Sequence, residues 1–206
     1  MEDHEIYWND KSKIWARAGW YADMAKKWGK NDLWEDAHWI GDMIVKYKPT
    51  SLLDVGCGSG RLFQLWNGLG IKDVEGIEYS KLIFDSVKQN EFNVKVHNMS
   101  IIDQSVPRKF DMVFNTQVLL HIPPQHIEKT FANMIKMSNK YLAMIVWYEV
   151  KRINKDKASS YKKYGNSFSH DYPALFKQFN LKVIEESNIT FFNKRKNVAW
   201  LVEICP

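Results

Sequence analysis

A chain of 206 residues, of which 45% are hydrophobic, is long enough for one domain with a substantial core. Its longest apolar runs have the length of strands, which excludes a membrane-spanning helix, and its acidic start lacks the order of a signal peptide. Two cysteines make no disulfide framework, so we expect a reduced, cytoplasmic protein. The net charge of +5 is modest. We expect a monomer or a weak homodimer.

The N-terminal segment is rich in tryptophan, with Trp8, Trp15, Trp20, Trp28, Trp34 and Trp39 all in this region. Such rings either cover an open end of the core or line a ligand site. Asn31 or Asp32 can cap a helix that runs to about Tyr47, and Pro49 ends it. We therefore expect residues 1–48 to form a helical cap or lid on a core formed by residues 49–206, within a single domain.

A glycine-rich turn follows the first predicted strand. Residues 51–55 form a short apolar run typical of a buried parallel strand, glycines follow at 56, 58 and 60, and a helical pattern starts at Arg61. A strand, a glycine turn and a helix N-terminus together let the backbone approach a nucleotide-like ligand. The spacing is Gly-x-Gly-x-Gly rather than the dinucleotide Gly-x-Gly-x-x-Gly, and Asp54 would repel a pyrophosphate. A ligand that carries an ammonium group would instead be attracted.

A second acidic residue ends the next predicted strand, residues 73–80. Glu78 lies 22 residues past Gly56, close to the offset expected for an acid that accepts hydrogen bonds from ribose hydroxyls. An acid at a strand end is also a common cap, but the glycine turn before it favours a ribose contact. The two patterns together predict a nucleoside site.

The remaining elements predict an α/β fold. We expect strands over residues 94–96, 110–114, 140–147, 181–186 and 198–205, with helices over 81–90, after Pro123 and Pro124, and from Ser169 or Asp171 to Phe179. Residues 193–197 form a turn between the last two strands, which predicts an antiparallel hairpin. Residues 151–165 are polar and basic and are interpreted as an insert or mobile loop.

Three motifs resemble those of a known family. Leu53-Asp-Val-Gly-Cys-Gly-Ser-Gly60 looks like the first motif of the class I S-adenosylmethionine-dependent methyltransferases, in their small-molecule branch. Gly-Ile-Glu-Tyr-Ser80 resembles the second motif, and Phe110-Asp-x-Val continuing to Leu-x-His-Ile122 resembles the fourth. The resemblance covers roughly residues 40 to 205. It implies a doubly wound, mostly parallel seven-stranded sheet that ends in an antiparallel hairpin, with helices on both faces.

The resemblance also implies site residues, with S-adenosyl-L-methionine as cofactor and no metal. The implied cofactor contacts are Asp54, Gly56, Cys57, Gly58, Gly60, Glu78, Tyr79, Asn98, Met99 and Asn115. Residues 97–100 depart from the Gly-Asp-Ala usual in the family, but the carboxamide of Asn98 can still bond to an adenine edge and Met99 can pack on its ring.

Motifs define the residues that contact the methyl acceptor less clearly than those that contact the cofactor. His121 is the candidate general base, or else a packing residue of the loop that follows the fourth strand. Candidate acceptor contacts are Tyr7, Trp8, Trp20, Tyr148, His170 and Tyr172. The prolines at 123 and 124 come later than the Asp/Asn-Pro-Pro-Tyr motif of DNA amino-methyltransferases, which argues against base methylation.

We therefore expect methyl transfer to an oxygen or nitrogen of a small molecule. One alternative is an RNA or protein methyltransferase that binds its substrate through the basic residues of 151–163. A solvated loop would equally explain the basic composition of this segment. Another is a non-catalytic S-adenosylmethionine-binding partner subunit of another enzyme. Neither nucleic-acid binding nor membrane binding is favoured.

Overall fold

The computed structural model describes residues 35–89, 93–153, 167–190 and 196–204. Its helices are α1 (Glu35–Tyr47), α2 (Phe63–Gly68), α3 (Lys81–Gln89), α4 (Ile127–Lys136) and α5 (Tyr172–Gln178). Its strands are β1 (Ser51–Val55), β2 (Asp73–Glu78), β3 (Lys95–Asn98), β4 (Phe110–Thr116), β5 (Ser138–Trp147), β6 (Leu181–Thr190) and β7 (Lys196–Ile204). Short 3-10 turns cover Leu119–His121, Pro124–His126 and Val150–Arg152.

The strands form one seven-stranded sheet in the order β3-β2-β1-β4-β5-β7-β6. β1 and β3 pair with β2 in parallel, and β4 pairs with β5 in parallel. β7 pairs with β5 and with β6 in antiparallel orientation. The predicted mostly parallel sheet with a terminal antiparallel hairpin is confirmed.

The chain divides into two compact units, residues 1–100 and 101–206. In the first unit β1 is buried along its whole length, as its continuous apolar run predicts. The helix α1 buries one face, with Trp39, Ile40, Met43 and Ile44 inside, because these side chains recur at helical spacing.

The second unit is held together by aromatic rings. Phe131 of α4 stacks on Phe179 at the end of α5, with ring centroids 6.2 Å apart. Trp200 of β7 contacts Phe176 at 5.4 Å and Tyr172 at 5.6 Å, both on α5. Contacts of this kind bury large apolar areas and fix the helices on each other and on the sheet.

Some element boundaries differ from the sequence-based expectation. β4 continues to Thr116 because Asn115 and Thr116 pair with Met144 and Ile145 of β5, so Asn115 lies inside the strand rather than after it. Pro123 precedes a 3-10 turn that begins at Pro124 and ends at His126, and the helix begins only at Ile127. Asp171 caps α5, as predicted, and its carboxylate accepts from the Ala174 N–H at 3.1 Å.

Several expectations fall outside the described residues. They concern the N-terminal lid with Tyr7, Trp8 and Trp20, most of the basic segment 151–165, and part of the hairpin turn. The single domain with a lid stays a prediction. Among the described residues, no helix has both the length and the apolar character needed to cross a membrane.

Candidate cofactor site and acceptor loops

The glycine turn after β1 is anchored on β2 by backbone hydrogen bonds. The N–H groups of Gly56 and Cys57 both donate to the Ile77 carbonyl, at 2.8 and 3.0 Å. Gly56, Gly58 and Gly60 have φ angles of 72°, 58° and 76°, in the left-handed region that glycine adopts without a steric penalty. The turn therefore requires glycine at all three predicted positions.

Glu78 ends β2 and holds the glycine turn through its carboxylate. One oxygen accepts from the Gly58 N–H at 3.0 Å, and the other accepts from the Ser80 N–H at 2.7 Å. Burial raises the pKa of Glu78 to about 7, and the N–H groups of Ser80, Gly58 and Tyr79 oppose that shift. Because each carboxylate oxygen has a second lone pair, Glu78 retains acceptor capacity for ligand hydroxyls.

Asp54 of β1 is a buried acid beside the same turn. Its carboxylate accepts from the indole N–H of Trp66 at 3.3 Å. Burial raises the pKa of Asp54 to about 7, while the Trp66 hydrogen bond and the charge of Arg61 lower it. A buried carboxylate of this kind is stabilised in its ionised form by a nearby cation, which fits a ligand with an ammonium group.

The end of β3 contributes Asn98 and Met99. The side-chain amide of Asn98 donates to the Glu78 carbonyl at 2.9 Å and to the Tyr79 carbonyl at 3.0 Å. Its donors are therefore used within the protein, and its side-chain oxygen is the group that can accept from an adenine amino group. Met99 is half-buried, and Tyr79 is 40% exposed and offers an aromatic surface.

Asp36 of α1 forms an ion pair with Arg61 that sequence reasoning missed. The guanidinium donates from both terminal nitrogens, at 3.3 and 2.5 Å, to the two carboxylate oxygens. The side chains of Arg61 and Asp36 are 14% and 1% exposed. An acid and a base 25 residues apart carry no local sequence signal, so only the fold brings this pair together.

Asn115 is fully buried in β4, and neither its side-chain nitrogen nor its oxygen has a hydrogen-bond partner among the described residues. It pairs with Met144, which in turn pairs with Trp200, so these three side chains lie on one face of the sheet. A buried amide without partners has hydrogen-bonding capacity available for a ligand or an ordered water. Its cofactor contact stays a prediction.

The loop that carries His121 is tied to the segment before α5. His121 is half-buried and ends the turn Leu119–His121. The Phe168 N–H donates to the Leu120 carbonyl at 2.7 Å, and the His170 Nε2–H donates to the Leu119 carbonyl at 3.0 Å. The His170 ring is buried, so its visible role is to hold the loop on which His121 lies.

Tyr148 and Tyr172 belong to the aromatic cluster of the second unit. Their rings meet edge to face with centroids 6.1 Å apart, and Tyr148 also lies against Trp200 at 5.2 Å. Tyr148 is half-buried, whereas Tyr172 is fully buried with its hydroxyl unpaired among the described residues. Tyr148 is therefore the more accessible of these candidate acceptor contacts.

Ser169 links the same segment to the end of β5, because its hydroxyl accepts from the Glu149 N–H at 2.9 Å. The sequence pointed to Ser169 only as a possible helix cap. No group of three or more His, Cys, Asp or Glu side chains in the described part of the chain is arranged to hold a metal ion.

A glycine turn and two buried acids thus lie together at the ends of the parallel strands β1 and β2 of an α/β protein. Residues 52–140 match the family model of a methyltransferase domain. This stretch is similar to that family, in agreement with the predicted class, an S-adenosylmethionine-dependent class I methyltransferase. No curated protein matches the sequence.

Solved methyltransferase structures share the fold at low identity. Magnesium protoporphyrin IX methyltransferase from Synechocystis, with bound S-adenosylhomocysteine, is 13% identical with a TM-score of 0.63 over 83% of each chain. The DhpI complex with S-adenosylhomocysteine is 14% identical with a TM-score of 0.64 over 100% of this chain and 97% of its own. The O-methyltransferase of a trans-AT PKS multienzyme from Brevibacillus brevis is 15% identical with a TM-score of 0.62, over 78% and 68% of the two chains.

Proposed function

We propose that this protein transfers a methyl group from S-adenosylmethionine to an oxygen or nitrogen of a small-molecule acceptor. The observation that carries the proposal is the arrangement around Glu78, whose carboxylate holds the glycine turn through Gly58 and keeps acceptor capacity for a ligand. The same arrangement would serve a non-catalytic binder equally well, so turnover is the property that a test must establish.

The described residues fit the cofactor in four respects. Glu78 would accept from the ribose hydroxyls, and Asp54 would attract the ammonium group of the methionine part. The side-chain oxygen of Asn98 would accept from the adenine amino group, beside Met99 and Tyr79. The glycines at 56, 58 and 60 have no side chains, which lets a ligand approach the backbone at these three positions.

Beyond aligning the methyl donor with the acceptor, the reaction requires little of the protein. The cofactor, when bound, supplies an activated methyl group on a sulfonium sulfur. The residues around the site then orient the donor, hold the acceptor and exclude water. Asp54 and Glu78 both provide negative charge in a buried setting, where an electrostatic attraction to a cationic ligand is stronger than in water.

A general base is needed when the acceptor must lose a proton. His121 is our candidate, because it lies on the loop after β4 and histidine is the side chain that most often serves as a general base. The hydrogen bonds from Phe168 and His170 to the carbonyls of Leu120 and Leu119 hold that loop in place. Tyr148 lies at the end of the next strand and is our candidate for an acceptor contact.

The small-molecule class is supported by the names of two structural neighbours, one of which acts on a magnesium protoporphyrin and one of which is an O-methyltransferase of a polyketide-type multienzyme. The described residues add an aromatic cluster of Tyr148, Tyr172 and Trp200 in the second unit. Tyr172 and Trp200 are buried, so Tyr148 is the ring of this cluster that would contact an acceptor, and it would suit one with a flat apolar body.

Calorimetric titration with S-adenosylhomocysteine and then S-adenosylmethionine tests the donor half. Micromolar binding of both is expected, and a parallel titration with a nicotinamide dinucleotide should show none. Turnover is then sought with small hydroxyl, amine and carboxylate acceptors. A donor site that binds but methylates none of them would favour a non-catalytic subunit, and binding to RNA with a steep salt dependence would favour the polymer alternative.

A further inference from the structure

One side-chain amide joins the ends of β2 and β3. Asn98 is the last residue of β3 and lies opposite Glu78, the last residue of β2. Its side-chain nitrogen donates to the Glu78 carbonyl at 2.9 Å and to the Tyr79 carbonyl at 3.0 Å. The Met99 N–H also donates to the Glu78 carbonyl, at 3.3 Å. These hydrogen bonds fix the end of β3 against the chain that leaves β2.

The same contacts determine which way the Asn98 amide faces. A carbonyl oxygen only accepts hydrogen bonds, so the side-chain atom that meets both carbonyls must be the nitrogen, which has two hydrogens to donate. The protein itself therefore uses both hydrogens. Because the amide is planar, its oxygen points away from the two carbonyls and is the polar atom of this side chain that remains for a ligand. Asn98 is exposed, so a ligand can reach it.

We propose that this fixed amide makes Asn98 a specificity-determining residue, which selects a purine with an amino group at carbon 6 over a purine with an oxo group there, and which a carboxylate cannot replace. The inference rests on the proposed donor site. It goes beyond the adenine contact itself, because it states which base is rejected and why the aspartate usual in the family at this position does not suit this chain.

The selection follows from the direction of the hydrogen bond. The 6-amino group of adenine donates, whereas a 6-oxo group accepts. An oxo group against the Asn98 oxygen would bring two acceptors together without a hydrogen between them, which costs free energy once water is displaced. An amide that turned to present its nitrogen would place its oxygen against the carbonyls of Glu78 and Tyr79. The hydrogen bonds within the protein therefore decide which base the site accepts.

A carboxylate at position 98 would meet the same two carbonyls. Its ionised form has no hydrogen to donate, so one of its oxygens would replace the nitrogen that now lies 2.9 and 3.0 Å from the carbonyl oxygens. The side chain would have to turn away, and the end of β3 would lose both hydrogen bonds. If the amide were free to turn, the opposite result would follow, because a carboxylate is a stronger acceptor for an amino group than an amide is.

The experiment measures dissociation constants for two probes, S-adenosylhomocysteine and S-inosylhomocysteine, which differ only in the amino or oxo group of the purine. Calorimetry at about pH 8 compares the intact protein with Asn98→Asp and Asn98→Ala, because the carboxyl group that Asn98→Asp introduces is ionised at this pH. Asn67→Asp is the matched control, since Asn67 is exposed on α2 and the chemical change is the same. Urea unfolding of each variant separates a loss of stability from a loss of affinity.

We expect the intact protein to bind S-adenosylhomocysteine roughly tenfold or more tightly than S-inosylhomocysteine. Asn98→Asp should weaken the binding of S-adenosylhomocysteine roughly tenfold. Asn98→Ala should also weaken it and should bring the two dissociation constants to within about threefold of each other. Asn67→Asp should match the intact protein with both probes.

Three results would overturn the proposal. The first is equal binding of the two probes by the intact protein, which needs no variant. The second is an Asn98→Asp variant that binds S-adenosylhomocysteine as tightly as the intact protein or more tightly. The third is an Asn98→Ala variant that loses both probes by the same factor, as expected if Asn98 only held β3 in place. If the intact protein bound neither probe, the proposed donor site itself would be wrong, which is a distinguishable outcome.

Discussion

Gly76 of β2 lies against Cys57 of the glycine turn, and a β-carbon at position 76 would be 2.9 Å from the Cys57 sulfur and 3.0 Å from the Phe63 ring. Real β-carbons essentially never come within 3.0 Å of another side-chain atom, so the close packing of Cys57 on β2 depends on residue 76 having no side chain. Glycine inside a strand often marks such a close approach. Burial also raises the pKa of the Cys57 thiol, so Cys57 behaves as a small packing residue.

Gly76→Ala should therefore disturb the glycine turn and lower the free energy of unfolding by about 1–3 kcal/mol, the usual cost of overpacking a core. Affinity for S-adenosylhomocysteine should fall with it. Urea unfolding and calorimetry measure the two effects. Gly68→Ala is the matched control, because an added β-carbon there meets nothing within 4 Å; equal effects of the two substitutions would contradict the packing argument.

Glu78→Ala should weaken cofactor binding by about 1–3 kcal/mol, because it removes charge-assisted hydrogen bonds to the ligand and to the N–H groups of Gly58 and Ser80. Calorimetric titration with S-adenosylhomocysteine measures the change. Asp73→Asn alters an exposed acid at the start of the same strand and should leave the affinity unchanged. Unaltered binding in Glu78→Ala would contradict the prediction that Glu78 accepts hydrogen bonds from the ribose hydroxyls.

His121→Ala should leave the affinity for S-adenosylhomocysteine unchanged and lower turnover by roughly 100-fold or more, the range typical for loss of a general base. Initial-rate measurements with an acceptor that must lose a proton give the comparison. His126→Ala, in the next 3-10 turn, is the control and should retain the rate. If turnover survives in His121→Ala, His121 is neither a base nor an acceptor contact.

The ligand-free protein should become less stable as the pH rises from about 5 to about 8. The pKa values of Asp54 and Glu78 rise from 3.8 and 4.5 to about 7 on folding, so over this range the folded state holds protons that the unfolded chain has lost. Their contribution is fully present below the unfolded values and disappears as the pH passes about 7. Urea unfolding at several pH values should give a shallower slope for Asp54→Asn; an identical slope would count against the buried-acid account.

Tyr172→Phe should leave the free energy of unfolding unchanged or raise it slightly. The Tyr172 hydroxyl is buried without a hydrogen-bond partner among the described residues, and an unpaired buried polar group costs stability. Burial also raises the pKa of this hydroxyl, which therefore stays protonated. Tyr148→Phe is the comparison, since its hydroxyl is on a half-buried residue. A loss of about 1 kcal/mol or more in Tyr172→Phe would show that the hydroxyl has a partner.

Much of the fold followed from local sequence patterns. The apolar run of β1, the glycines at 56, 58 and 60, and Glu78 at the end of β2 could each be found without coordinates. The spacing of apolar residues, the residue types that form turns and the order of strands along the chain can all be read from short stretches of sequence. The cap at Asp171 was predicted for the same reason, because a cap satisfies backbone groups within one helical turn.

Other features depended on residues distant in the chain. β4 extends through Asn115 and Thr116 because β5 supplies hydrogen-bonding partners there, and nothing in the local pattern of residues 110–116 announces that pairing. The packing of Gly76 against Cys57 and the support of the His121 loop by Phe168 and His170 likewise join segments separated by tens of residues.

The sequence by itself thus predicted the class of the protein and the acids and glycines of its candidate donor site, because those residues form short motifs whose spacing follows from strand and turn geometry. Only the tertiary structure decided that Asp36 binds Arg61, that Glu78 bridges Gly58 and Ser80, and that Tyr172 and Asn115 are buried with polar groups that find no partner in the described part of the chain. These features depend on which surfaces meet when the elements pack, and packing is set by the whole chain rather than by any one stretch of it.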